Sequence, residues 1–260
     1  MAYKSPVRDL SFVLHDVLQV ENYSEHFANP DVSRDLIDQI LEEGGKFADG
    51  VIAPINKTGD IEHCKLENGV VTTPTGWKEA YHQMVEAGWT SLAFNPEFGG
   101  QGLPAIISMA VGQFTAAASA AFSMYPGLTA GAVHGIEANG SDELKQKWLP
   151  KMVSGEWTGT MNLTEPQCGT DLGLIRTKAE PQADGSYTIT GTKIFISGGE
   201  HDLTENIIHL VLAKTPGAPD SSKGISLFVV PKFLVNEDGS LGDRNGVTCG
   251  SIEHKMGIHA

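Results

Sequence analysis

The sequence predicts an α+β protein, with an N-terminal α-helical domain followed by a β-domain of barrel or sandwich type. Three observations predict it. Apolar residues recur at helical spacing up to about residue 157. Beyond that point β-branched runs alternate with Gly, Asp and Pro turns. The 260 residues, 40% hydrophobic and 19% charged, are enough to bury one large core or two moderate ones.

Taken in order, Leu36, Ile40, Phe47 and Val51 fall near one face of a helix that Asp31 would cap and that should end before Pro54. Pro96-Glu97-Phe98-Gly99-Gly100-Gln101-Gly102 reads as a tight turn between helices. Residues 105–121 are small and apolar all round, the pattern of a helix buried between neighbours. Ser141, followed by Asp142 and Glu143, supplies a capping hydroxyl and two acids at a positive helix end, and Leu144, Trp148 and Met152 make the apolar stripe. Pro150 is expected to distort or end that helix. Seven strands follow, at 158–163, 174–180, 186–190, 193–197, 207–214, 225–231 and 247–253. Asp184-Gly185 favours a tight hairpin between two of them. Residues 236–246 read as a long polar loop; its Asp and Asn residues lack the ligand order of a calcium-binding EF-hand. The chain closes on Gly257-Ile258-His259-Ala260 directly after a strand-like run, which predicts a β-domain lacking its closing strands.

Composition excludes several functions. A formal charge of −14 argues against nucleic acid, whose phosphates are gripped by clustered Lys and Arg. Cys64, Cys168 and Cys249 are odd in number and far apart, which fits a reducing compartment better than a disulfide scaffold or Cys-rich zinc site. With no apolar leader and no membrane-length apolar run, the sequence reads as cytoplasmic, and the Asn-x-Ser/Thr triplets at Asn22, Asn56, Asn139 and Asn162 read as chance.

Familiar catalytic motifs are missing: there is no GxGxxG, GxxxxGK, GxSxG or HExxH. The nine histidines are scattered, so structural roles are expected for them and no metal site. An enzyme built from this sequence would take its reactive group from a cofactor. Two Gly-rich clusters mark where. In Met161-Asn162-Leu163-Thr164-Glu165-Pro166-Gln167-Cys168-Gly169-Thr170-Asp171 a strand delivers the Thr164 hydroxyl and breaks at Pro166, and Gly169 lets the Thr170 backbone approach a ligand. Gly191-Thr192-Lys193-Ile194-Phe195-Ile196-Ser197-Gly198-Gly199 sets an aromatic and a hydroxyl two residues apart, on one face if the segment is a strand. Two such strand ends suit a flat heteroaromatic ring, which composition does not name.

Leu163-Thr164-Glu165-Pro166 followed by Gly169-Thr170-Asp171 resembles the first signature of the acyl-CoA dehydrogenases, flavoproteins that desaturate acyl thioesters. Pro96 to Gly102, Leu149-Pro150-Lys151 with Ser154-Gly155-Glu156, and Gly191 to Gly199 match further stretches in the family's order, and Lys255-Met256-Gly257-Ile258 looks like the stretch before its last β-domain strands. The resemblance covers residues 31–260. Tyr3 to Tyr23 resembles the extension of a longer subgroup that includes the 3-(methylthio)propanoyl-CoA dehydrogenases. It implies an extension at 1–30, a helical domain at 31–157 and a truncated β middle domain at 158–260, with the family's C-terminal helical bundle outside the chain.

By resemblance, FAD is the cofactor. Met161, Leu163 and Thr164 match the strand that bonds the flavin pyrimidine edge and N5. Gly169 and Thr170 match the turn near its phosphates, with Thr170 also beside the pantetheine arm of the acyl-CoA substrate. Phe195, Ile196 and Ser197 match the aromatic–Ile–Thr trio over the flavin face, with Phe for the commoner Trp and Ser for Thr. Glu165 and Asp171 match carboxylates that fix the signature turn, so no catalytic base is expected in this chain. The resemblance further implies an electron-transfer flavoprotein as partner and a homodimer or homotetramer built through the C-terminal domain. Three other readings share these residues: an acyl-CoA oxidase or flavin monooxygenase relative, a DNA-associated member of the superfamily, and a non-enzymatic β-domain binder.

Overall fold

The structure, a computed structural model, describes residues 3–27 and 32–260. The chain opens with helix α1 (Val7–Phe12), which runs on as a π turn through Val17. Helix α2 (Arg34–Phe47) buries Ile37, Leu41, Gly44 and Gly45. The expected cap, Asp31, lies outside the described residues; Ser33 caps α2, its hydroxyl accepting the Leu36 N–H at 3.3 Å. Pro54 does not stop this helix. A π turn over Ala48–Ile52 leads into α3 (Ala53–Glu62), and Pro54 sits in the first turn of α3, where its missing N–H is least costly.

A short hairpin follows, β1 (Lys65–Glu67) and β2 (Val70–Thr72), antiparallel about an Asn68-Gly69 turn with both residues at positive φ. Then come α4 (Trp77–Glu86), the Pro96–Phe98 turn, α5 (Ala105–Ala118), α6 (Ala120–Asn139) and α7 (Asp142–Ser154). The helix expected over 105–121 ends at Ala118 because Ser119 turns extended (φ −155°) and its hydroxyl caps α6. Pro150 neither ends nor breaks α7: Trp148, Leu149, Met152 and Val153 are buried around it, and that packing offsets the lost hydrogen bond.

The last helix gives way to the main sheet between Ser154 and Trp157. Its central strand is β6 (Asn206–Lys214), whose neighbours are β3 (Trp157–Asn162) in parallel, β4 (Lys178–Pro181) in parallel at its end, and β7 (Ile225–Pro231) antiparallel. Strand β5 (Tyr187–Thr190) adds to β4 through the expected Asp184-Gly185 hairpin. Residues 236–246 are not a plain loop. They carry β9 (Leu241–Arg244), which pairs with β8 (Phe233–Val235) about an Asp238-Gly239 turn. Two expected strands, 193–197 and 247–253, form no ladder; the first bends at Phe195 and turns at Ser197.

Two apolar clusters hold this together. One joins α2 to α6 around Trp77, Tyr81, Phe114 and Phe122 and also takes in Leu203, from the β half. The other seats α6 and α7 on β3 and β6 through Ile136, Leu149, Met152, Trp157, Ile208 and Leu210. The helix–sheet joint is close: a Cβ on Gly159 would lie 2.6 Å from the Ala132 methyl, and the Gly159 N–H donates to Thr129 Oγ1 at 3.0 Å. No helix among the described residues is long and apolar enough to cross a membrane.

Candidate functional site

Strand β3 ends at Asn162, and Leu163 to Asp171 form the turn beyond it. Glu165 is the hub of that turn. It is 3% exposed and accepts hydrogen bonds from Lys193 Nζ (2.8 Å), Thr177 Oγ1 (2.5 Å) and N–H (3.0 Å), the Arg176 N–H (2.7 Å) and Gln167 Nε2 (2.7 Å). Burial alone would raise its pKa, but the donors, Lys193 foremost, outweigh burial and hold it at about 2. A carboxylate so saturated fixes backbone and is a poor proton acceptor at neutral pH. Asp171 is also engaged, capping the Leu172–Leu174 turn through the Gly173 N–H at 3.0 Å.

The Glu165 hub brings the two Gly-rich clusters together. Lys193 donates to the Leu163 carbonyl at 3.0 Å, and the Ile194 N–H donates to the Thr164 carbonyl at 2.9 Å. Gly169 lies against Thr164, where an added Cβ would sit 3.4 Å from its methyl. Thr170 is exposed on the same turn. Strand β3 pairs only with β6 among the described residues, so its other edge, at Met161, keeps backbone groups outside any ladder.

Segment 193–197 departs from the expectation. It is no strand, because the Glu165 hub rather than a ladder holds it, and Phe195 takes φ +57°. That region is costly for a bulky side chain. Phe195 and Ser197 therefore do not share a strand face. Phe195 is 51% exposed, with Lys255 Nζ 4.8 Å from the centre of its ring. Gly199 closes a turn on the Ile196 carbonyl, and Gly198, at φ +61°, passes the Tyr125 ring.

Phe195, Ile196 and Ser197 line a cleft of about 1360 Å³ that also takes in Tyr125, Asn162 and His209; Met161, Leu163, Thr164, Gly169 and Thr170 lie outside it. The sequence reading passed over the polar face of β3. There Thr158 bonds His201 Nε2 at 2.9 Å, and Thr160 bonds both His209 Nδ1 and Asn162 Oδ1 at 2.7 Å. Its signal was the period-two run Thr158, Thr160, Asn162. Burial foremost, then the Lys232 charge, lowers His201 to about 3 and His209 to about 4, so both imidazoles are neutral at pH 7. No group of three or more His, Cys, Asp or Glu among the described residues is arranged to hold a metal.

Residues 35–156 match the model of the acyl-CoA dehydrogenase N-terminal domain, and residues 160–260 match that of the acyl-CoA dehydrogenase middle domain. The chain belongs to the acyl-CoA dehydrogenase family. Within that family it is 46% identical over 260 residues to 3-methylmercaptopropionyl-CoA dehydrogenase of Ruegeria pomeroyi, covering all of this chain and 44% of the relative. It is 41% identical over 271 residues to a butyryl-CoA dehydrogenase of Syntrophomonas wolfei, covering 99% of this chain and 43% of that one. The chain thus spans less than half the length of these two acyl-CoA dehydrogenases. Among solved structures, butyryl-CoA dehydrogenase of Megasphaera elsdenii superposes with a TM-score of 0.61 at 25% identity, over 77% of this chain and 49% of that one. The helical domain followed by a sheet domain is therefore the family's architecture.

Proposed function

We propose that this chain is the flavin-holding part of an FAD-dependent acyl-CoA dehydrogenase that converts a short acyl-CoA, 3-(methylthio)propanoyl-CoA foremost, to its trans-2-enoyl-CoA. The junction of the two Gly-rich clusters carries the reading, since the bond from Ile194 to Thr164 sets a strand edge beside an open aromatic ring. The 46% identity to an enzyme named for that substrate supports it. In this reading residues 1–30 are an extension, 31–157 the helical domain and 158–260 the middle domain.

The residues present suit a flat ring with a hydrogen-bonding edge. Backbone groups at Met161 and Leu163 and the Thr164 hydroxyl would meet that edge, with Phe195, Ile196 and Ser197 over the face and Gly169 and Thr170 toward the phosphates. Thr170 would also touch the pantetheine arm of the substrate. FAD held there would supply the hydride acceptor for the β-hydrogen of the acyl chain. Glu165 holds the turn that presents Thr164, and its five donors leave it no capacity as the base. We place that base outside residues 1–260, together with the main subunit contacts of a homodimer or homotetramer. Electrons would leave to an electron-transfer flavoprotein in the cytoplasm. The test is Thr164→Val in the FAD-loaded protein. Loss of one neutral hydrogen bond, about 0.5–1.5 kcal/mol, should weaken flavin retention several-fold. Unchanged retention and potential would remove Thr164 from the site.

A further inference from the structure

Among the described residues, the segment that carries Phe195, Ile196 and Ser197 is hydrogen-bonded to the rest of the protein only at its ends. At its start Lys193 donates to Glu165 at 2.8 Å and to the Leu163 carbonyl at 3.0 Å, and the Ile194 N–H donates to the Thr164 carbonyl at 2.9 Å. From Phe195 to Gly199 the one backbone hydrogen bond is internal, from the Gly199 N–H to the Ile196 carbonyl at 3.2 Å. Phe195 nevertheless stands at φ +57° and Gly198 at φ +61°. A bulky residue keeps such a conformation only where its surroundings over-determine it. Lys255 Nζ, 4.8 Å from the centre of the Phe195 ring, acts on the side chain and not on the backbone.

The second anchor is Glu200, the residue after Gly199. It is 8% exposed, and its two oxygens go to different cations. Lys232 Nζ donates to Oε1 and also to the His201 carbonyl, the latter at 3.3 Å; Arg244 donates to Oε2 at 2.9 Å. Both cations belong to the β8–β9 hairpin, since Lys232 immediately precedes β8 and Arg244 ends β9. That hairpin is seated independently. Buried Asn206, at the start of β6, accepts from the Phe233 N–H at 2.9 Å and donates to the Phe233 carbonyl at 3.1 Å, and the Lys232 N–H donates to the Ile207 carbonyl at 2.8 Å. A carboxylate needed only to seat the hairpin would be redundant there. What Glu200 adds is a tie from the end of the segment to that seated hairpin, made of charge-assisted hydrogen bonds, which are short and directional.

We propose that Glu200 is a positioning residue: its grip on Lys232 and Arg244 fixes the C-terminal end of the 195–199 segment and so keeps Phe195 on its positive-φ backbone at the wall of the cleft. The consequence for a flavin rests on the reading that the Phe195 trio covers that ring; the clamp itself does not.

The experiment is NMR on the 260-residue chain, labelled with ¹⁵N and ¹³C, as parent, Glu200→Gln, Lys232→Met and Lys255→Met. A residue at positive φ brings its own Hα close to its N–H, so the strength of that contact at Phe195 reports the backbone directly. Hydrogen exchange of the Gly199 and Ile194 amides reports the two ends. In Glu200→Gln the Phe195 contact should weaken and Gly199 should exchange about tenfold faster or more, while Ile194, held by the Glu165 hub, keeps its rate. Lys232→Met leaves Glu200 paired with Arg244, so its charges stay balanced; it should move both signals the same way by less. If Glu200→Gln does not fold, Lys232→Met decides alone. Parent-like signals in every folded clamp variant would overturn the proposal. So would equal acceleration at Ile194 and Gly199, the mark of a general loss of stability, or loss of the Phe195 contact in Lys255→Met alone. The flavin reading is tested apart from this, by the absorption envelope of FAD-loaded full-length Glu200→Gln. An unchanged envelope with Phe195 displaced would remove that residue from the flavin face and leave the clamp standing.

Discussion

Glu165 shows how a residue that looks catalytic can be structural. It lies in the signature turn and is buried, yet five donors are aimed at its two oxygens. Its folded pKa of about 2 lies below the ordinary 4.5. The stability it contributes is fully present above about pH 4.5 and is lost as pH falls toward 2, on the order of 3 kcal/mol in all. Urea midpoints measured across that window should therefore fall steeply for the parent chain. Glu165→Gln should be less stable at neutral pH and should flatten this acid slope; an unaltered slope would mean another carboxylate dominates. Phe195 carries the opposite signature, an open ring on a strained backbone. Phe195→Ala should loosen FAD and perturb its absorption envelope, while Phe195→Trp is tolerated, since a well-placed aromatic pair adds roughly 0.5–1.5 kcal/mol. If both variants bind FAD like the parent, the ring does not face the flavin.

At the scale of elements, α6 and β3 matter most, because their joint fixes where the strand end lies. Gly159→Ala would drive a methyl to 2.6 Å from Ala132 and 2.8 Å from the Met152 terminus. Overpacking of this kind costs about 1–3 kcal/mol, so a lowered thermal midpoint is expected. An unchanged midpoint would show that Met152 yields freely. Ser141→Ala should cost about 1 kcal/mol by removing the α7 cap. These elements were unequally legible in the sequence. Strands β6 and β7 could be read because their apolar, β-branched runs are seven residues or longer, and α7 because its cap and stripe agree. Helix α6 was hidden by Pro126 and several glycines, although Phe122, Tyr125, Thr129, Val133 and Ile136 keep helical spacing. The hairpin at Asn68-Gly69 went unread because its strands are three residues long. Residues 193–197 look like a strand because alternation registers burial, not hydrogen-bond partners. Their true anchor, the Glu165 hub, joins residues too far apart in sequence for any local pattern to reveal. The same holds for His209, which is linked to Thr160 only through the β3–β6 register.

At the scale of the whole molecule, the open cleft and the apolar residues around it set what this chain can do alone. Leu227 and Ile252 beside the cleft are exposed, as are Leu234 and the Phe195 ring. Such surface favours association with another apolar surface. Residues 1–260 by themselves should therefore hold FAD weakly. In a dye-linked assay with excess FAD they should turn over neither 3-(methylthio)propanoyl-CoA nor butanoyl-CoA. Turnover would place a base within these residues and reopen Glu165 and Asp171. The central claim is that the strand edge at Met161 to Thr164 and the Phe195 trio together cradle a flavin for acyl-CoA oxidation. Its most direct test is the visible spectrum of the full-length protein containing this chain, before and after anaerobic addition of 3-(methylthio)propanoyl-CoA. The account predicts a yellow protein whose flavin band bleaches on addition of the thioester. A colourless protein that ignores added FAD would contradict it.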